Sequence, residues 1–337
     1  MHCIGNAARL PLSIGLHISI LRIAAFVTAF VLFAAPAATR AEFSIMTGQP
    51  SEAERARCET APAEPVRKSC LAVYSVPRLK LPTAAEETTS SSGRMGIYKP
   101  SGNGPFPALV LLHTCGAAFD NMAHWAAIAV KAGYVAFIVD SWGQRGLGDG
   151  ICGPTTAFRG NTTLLRVRDA LDALSHLANF PFVDRNRVAV LGASQGARAV
   201  YLLASRAVSR RFSADGTRFA AHVALYGECY NRVLKHVNIV DDIDRPILAL
   251  LGDSDEDGDA SECVPRFEKA KAAGAPIRWH VFAHTGHNWD FERFARPVYR
   301  PYPAAKSGKV LYEYSRDATR ATEKMLLDFL AQSMPPR

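Results

Sequence analysis

Five residues constrain this chain more than any others. Gly192-Ala193-Ser194-Gln195-Gly196 stand between the apolar run Val188-Ala189-Val190-Leu191 and an Ala/Leu-rich stretch from Ala197 to Ala207. A strand that becomes a helix across one serine must turn sharply, and only small residues fit beside such a turn. The same turn lifts the hydroxyl clear of the strand end, where it is a candidate nucleophile. A serine hydroxyl is a poor nucleophile near neutral pH. The rest of the chain must therefore supply a base, a carboxylate to orient that base, and donors for an oxyanion.

From Met95 onward strand and helix patterns alternate. Met95–Lys99, Ala108–Leu112, Tyr134–Asp140, Val188–Leu191, His222–Tyr226, Ile247–Leu251 and Ile277–Phe282 read as short strands. Met122–Ala132, Leu164–Asn179, Val264–Ala273 and about Asp317 to Ala331 read as helices, and Asn161 to Thr163 offer a cap for the second. Continuous apolar strands separated by helices predict an α/β fold, a mostly parallel central sheet with helices on both faces. The pattern spans residues 95–337 as one domain without internal repeats. Residues 42–94 begin polar, with Pro50, Pro62 and Pro65, and read as an extended lead-in. Ligands of such sheets bind at the carboxyl ends of strands, where all the candidate chemistry falls.

In a sheet of this kind the nucleophile is followed by the acid and then by the base. The acids lie in Leu250-Leu251-Gly252-Asp253-Ser254-Asp255-Glu256-Asp257. Asp255 is preferred over Asp253 because its reach clears the strand end, and Asp257 and Asp259 read as solvated. The base lies in Ala283-His284-Thr285-Gly286-His287-Asn288-Trp289-Asp290. His287 is preferred over His284, since it sits deeper in the loop behind a glycine that lets it turn inward. Oxyanion donors are expected from the Gln195 N–H and from Thr114 or Cys115 in the loop His113-Thr114-Cys115-Gly116. His113 itself reads as structural. Trp142, Arg145 and Trp289 are the candidate substrate contacts: Arg145 is placed either to grip a carboxylate through two hydrogen bonds or to pin its own loop, and Trp142 either to wall a pocket or to fill the core.

These segments resemble the dienelactone hydrolase family of the α/β-hydrolase fold over about residues 95 to 331. The resemblance is carried by IYKPSGNGPFPALVLLHTCG (97–116), GYVAFIVDSWGQRG (133–146), FVDRNRVAVLGASQG (182–196), LLGDSDED and HTGHNWD. It implies an esterase-type mechanism with the acid on Asp255 and the base on His287. No cofactor or metal is expected. The chain departs from the family twice. Position 194 is Ser where the namesake enzymes use Cys, and Thr114 stands where the loop commonly reads His-Gly.

The first forty residues contain Arg9, Arg22 and Arg40, no acid, and an apolar segment from Ile23 to Ala38. They read as a signal peptide ending at Ala37 or Ala41, with an uncleaved anchor as the alternative. Removing residues 1–41 deletes those three arginines and lowers the formal net charge from +8 to +5. The remaining basic residues are scattered, which argues against a nucleic-acid partner. No stable membrane association is expected after cleavage, only a small-molecule ester or lactone as substrate. Six cysteines remain once Cys3 is gone, an even number that suits an exported chain. Six cysteines allow fifteen pairings, and sequence does not choose among them or exclude buried free thiols. The pairing we expect is Cys58–Cys70, closing a short Pro-rich loop, with Cys115–Cys152 and Cys229–Cys263 each joining loops after neighbouring strands.

Two other readings compete. Asp253 to Gly258 match the first half of a calcium loop, but its twelfth position is Val264 and a strand precedes it where an EF-hand has a helix. On that reading the chain is a non-catalytic calcium binder. The same triad could also serve acyl transfer or peptidase chemistry. Asn161-Thr162-Thr163 fits a glycosylation sequon, although its place at a helix start already explains it.

Overall fold

The apolar runs become strands buried on both sides. Residues 49–334 are described by a computed structural model, apart from 62, 90–92, 117–119, 149, 153–160, 214 and 232–235. The leader expected over residues 1–41 lies outside the described residues. The strands are β1 (Ala85–Glu86), β2 (Gly96–Tyr98), β3 (Phe106–Leu112), β4 (Val135–Val139), β5 (Val183–Ala193) and β6 (Ala221–Leu225). A short antiparallel ladder of β7 (Tyr230–Asn231) and β8 (His236–Val237) precedes β9 (Ile247–Gly252) and β10 (Ile277–Phe282). The main sheet has eight strands in the order β1-β2-β4-β3-β5-β6-β9-β10. Only the β2–β4 pair is antiparallel.

Because side chains alternate across a strand, neighbouring residues enter opposite cores. Val110, Leu112, Val190, Ala249 and Leu251 pack under α4 (Thr162–Leu177), α5 (Gln195–Leu203), α6 (Arg206–Phe212) and α7 (Ala260–Ala272). Leu109, Leu111, Leu191, Val223 and Leu250 pack under α3 (Asp120–Lys131) and α8 (Arg316–Ser333). Each such Leu or Val, fully buried, contributes about 1.5–3 kcal/mol. The register sets Leu112 opposite Gly192, Ala193 opposite Leu225, and Phe282 opposite Gly252, so these strands end nearly level. The candidate residues leave the sheet from that common edge.

The described part of residues 42–94 differs from the extended lead-in that the prolines suggested. It contains α1 (Glu52–Glu59) and α2 (Glu64–Tyr74). Ser51 and Glu54 cap α1 reciprocally, the Ser51 hydroxyl accepting from the Glu54 N–H at 3.3 Å and the Ser51 N–H donating to the Glu54 carboxylate at 2.8 Å. Pro65 lies in the first turn of α2, where a missing N–H costs nothing. Cys58, Cys70, Val73 and Val76 join the core on the α4 face. The helix expected over 197–207 is also divided: α5 ends at Leu203, and the Ser205 hydroxyl caps α6 by accepting from the Val208 N–H at 3.1 Å. The disulfides are Cys58–Cys70, Cys115–Cys152 and Cys229–Cys263, as paired from the sequence. No helix among the described residues is long and apolar enough to cross a membrane.

Candidate active site

Between β5 and α5 the chain reverses across Ser194, whose φ of 52° and ψ of −115° lie outside the regions an L-residue prefers. A Cβ on Gly192 would stand 2.4 Å from the Gly196 backbone, and one on Gly196 would stand 2.3 Å from the Leu112 carbonyl oxygen. The two glycines are therefore required by contact with neighbouring backbone. The Ser194 N–H donates to the Leu225 carbonyl at 2.9 Å, which ties the turn to β6.

Asp255 and His287 converge on that serine. The His287 Nδ1 lies 2.8 Å from the Asp255 Oδ2, and its Nε2 lies 3.0 Å from the Ser194 Oγ. All three side chains are buried. The other Asp255 oxygen accepts from the backbone N–H groups of Asp257 and Gly258 at 2.8 and 3.1 Å, which fixes the carboxylate. The alternatives do not reach: Asp253 and His284 are both exposed. Burial works against a charge on the His287 ring, but the Asp255 and Asp257 carboxylates outweigh it and raise its pKa above the ordinary imidazole value.

A hairpin that the sequence did not reveal, β11 (Val298–Pro301) and β12 (Lys309–Tyr312), holds the histidine loop. The His287 N–H donates to the Leu311 carbonyl at 2.7 Å. The ring lies between Tyr312 and Tyr226, at centroid distances of 5.3 and 4.9 Å. Burial and the Asp257 and Asp255 carboxylates push the Tyr312 phenol up to about 12. Tyr226 donates its hydroxyl to Asp290 at 2.7 Å, and the other Asp290 oxygen accepts from the Trp125 indole at 2.7 Å. Asp290 belongs to the quoted HTGHNWD stretch, yet no spacing rule pairs it with Tyr226.

The oxyanion candidates sit on either side of the turn. Gln195 begins α5, and Thr114 and Cys115 follow β3. Cys115 is anchored twice, by its disulfide to Cys152 and by its carbonyl, which accepts from the Ile151 N–H at 2.8 Å. His113 is the structural residue the sequence suggested. Burial, with the Arg166 charge behind it, pushes its pKa well below the ordinary value, so the ring is neutral. Its Nδ1–H donates to the Thr114 carbonyl at 2.8 Å, and its Nε2 accepts from the Ser141 N–H at 3.2 Å.

The three expected substrate contacts all have partners inside the protein. Arg145 grips Asp169 through two hydrogen bonds of 2.7 and 2.8 Å and donates to the Ser141 and Pro77 carbonyls. Its charge is spent inside the protein. Trp142 and Trp289 are both fully buried. Trp142 lies against Arg166, while Trp289 packs on Tyr226 and Phe282 and donates to Thr322. Large aromatic residues near a strand end read as pocket walls, but here the core needed their area.

Asp257, read as solvated, stands beside the site instead, 3.6 Å from the His287 Nε2 and 3.6 Å from the Arg198 guanidinium. Arg198 also pairs with Glu228 at 2.8 Å. The acidic run has no common focus for a calcium ion, since Asp255 faces His287 while Asp259 caps α7 and pairs with Lys306. Among the described residues no three His, Cys, Asp or Glu side chains group as metal ligands.

A mostly parallel eight-stranded sheet with a serine turn after its fifth strand defines the α/β-hydrolase fold. The profile of the dienelactone hydrolase family matches residues 94–333, and the chain belongs to that family. It is similar in structure to a Klebsiella pneumoniae protein that carries the name of a dienelactone hydrolase: TM-score 0.53, 18% identity, covering 73% of this chain and 97% of that one. It is also similar to Thermogutta terrifontis esterase 2 phosphoramylated by tabun, with TM-score 0.51, 12% identity, and 72% and 91% of the two chains covered. The same esterase phosphorylated by paraoxon gives TM-score 0.51 and 12% identity over 72% and 90%. A search of curated proteins finds none that matches.

Proposed function

We propose that the protein is an exported serine hydrolase that cleaves a carboxylic ester or lactone through an acyl-enzyme. The observation that carries this reading is His287 bridging Ser194 and Asp255 at 3.0 and 2.8 Å. His287 takes the Ser194 proton as the oxygen attacks the ester carbonyl, and the C=O electrons move onto oxygen. The backbone donors beside Ser194 hold that oxyanion. His287 then returns the proton to the leaving alcohol as the acyl C–O bond breaks. Water repeats the sequence and frees the acid. Asp255 keeps Nδ1 protonated and steadies the imidazolium. Three disulfides support an oxidising compartment, and with it the leader expected over residues 1–41.

The test is covalent. Treatment with paraoxon should add one diethylphosphoryl group to the peptide containing Ser194, read by mass spectrometry, and should stop hydrolysis of p-nitrophenyl butyrate in parallel. A folded protein that stays unlabelled and hydrolyses no ester would sink the reading.

The pH profile tests the surroundings of the base. His287 must be unprotonated to accept the serine proton, and its pKa is raised. The acid limb of kcat/KM should therefore lie above the ordinary histidine value of roughly 6.5. Asp257→Asn removes one of the charges that raise the pKa, so the limb should move to lower pH. A limb that stays in place refutes the part given to Asp257.

A further inference from the structure

Arg166 is fully buried, yet no carboxylate lies within ion-pair distance of it among the described residues. Two other buried arginines differ: Arg145 and Arg168 both reach Asp169. Burial pushes the Arg166 guanidinium down to about 9, so it remains charged at neutral pH. A cation so placed is expensive unless it has work to do. Its Nη1 donates to the Thr114 carbonyl at 3.0 Å and reaches the Gln195 side-chain oxygen at 3.4 Å. Among the described residues its Nε and Nη2 have no hydrogen-bond partner, and its Cζ lies 5.7 Å from the centroid of the Trp142 ring. Both of its polar contacts flank the place where an oxyanion would form. Gln195 follows the serine, and the Thr114 carbonyl shares its peptide with the Cys115 N–H.

That carbonyl accepts from two side chains, Arg166 at 3.0 Å and His113 at 2.8 Å. A trans peptide points its N–H opposite its C=O, so pinning the carbonyl also aims the N–H. Donation to the carbonyl further polarises the amide. We propose that Arg166 is a positioning residue for ester hydrolysis, clamping the Thr114 carbonyl with His113 so that the Cys115 N–H serves as the oxyanion donor opposite Gln195. The order cation, carbonyl, amide N–H, oxyanion sets positive charge at the far end of a peptide dipole that already favours the anion. The disulfide of Cys115 and the Ile151 hydrogen bond fix the other side of the same residue.

The inference rests on the proposed serine hydrolase reading, and its test separates the two. Wild type, Arg166→Met and Arg166→Lys are compared as the full mature protein, with active sites counted by paraoxon labelling. Rates per active site on p-nitrophenyl butyrate are measured alongside affinity for a trifluoromethyl ketone, which forms a tetrahedral oxyanion on the serine. Arg166→Met should lower kcat about 10²–10³-fold, the scale of losing one oxyanion donor. KM should change little, and ketone affinity should fall by a comparable factor. Arg166→Lys, which keeps charge but not the planar fork, should fall between the two. If Arg166→Met does not fold, Arg166→Lys decides by the same split between kcat and KM. A variant that melts earlier but keeps its kcat per active site and its ketone affinity overturns the proposal. A wild type that is unlabelled and inactive overturns the hydrolase reading instead.

Discussion

Ser194→Ala should leave only a trace of ester hydrolysis, a fall in kcat on the order of 10⁴- to 10⁶-fold, with the fold intact. Among the described residues the hydroxyl hydrogen-bonds to the His287 side chain alone, so its loss strands no charge. Thermal unfolding should move by no more than about 1–2 °C. His287→Ala should be comparably inactive. Because the two act as one unit, the double variant should be hardly worse than either single one. Hydrolysis of p-nitrophenyl butyrate, read beside circular dichroism, settles each point. If His287→Ala kept its activity and His284→Ala lost it, the base assignment would be reversed, against an exposed His284.

Asp169→Ala should show the opposite pattern, a large loss of stability from a residue remote from the bond broken. Asp169 is fully buried and takes two hydrogen bonds from Arg145, with Arg168 3.5 Å away. Burial opposes its charge, but the two guanidinium groups overcome that and hold its pKa below the usual carboxylate value. Removing it leaves two buried cations facing each other. Breaking such a pair costs about 3–5 kcal/mol, on the order of 10 °C in Tm for a chain of this size. The double variant Asp169→Leu with Arg145→Met should recover part of that loss, since a vacated pair can be filled by apolar groups. Differential scanning calorimetry of the three proteins checks it. A single variant melting within 2 °C of wild type would remove Asp169 from the account of stability.

Much of the sheet was legible in the sequence because strands buried on both faces must be apolar throughout. Ile277–Phe282 agrees with its strand end for end, and the elbow at Ser194 follows from two glycines with backbone at their Cα atoms. Asp255 and His287 were legible as positions, since a strand end and a loop glycine limit where a side chain can go. Their supports were not. Tyr312 comes from a polar, proline-bearing hairpin, and Tyr226 meets Asp290 across 64 residues. Arg145, Trp142 and Trp289 could not be placed from the sequence for one reason. A charge or a ring near a strand end suits a pocket and a core equally, and only packing decides between them. The helix α4 hid the most, because Arg166, Arg168 and Asp169 interrupt its apolar stripe while being buried with it.

Arg168 carries a further consequence. It donates to the carbonyls of Val73, Val76 and Pro77 at the end of α2, and Arg145 shares the last of these. The region of common ancestry begins at residue 94, after those acceptors. A protein engineer trimming the chain to that outline would keep every candidate catalytic group and discard carbonyl oxygens that solvate two interior cations. For this molecule the unit of homology is smaller than the unit of folding, and the difference is measured by helices α1 and α2.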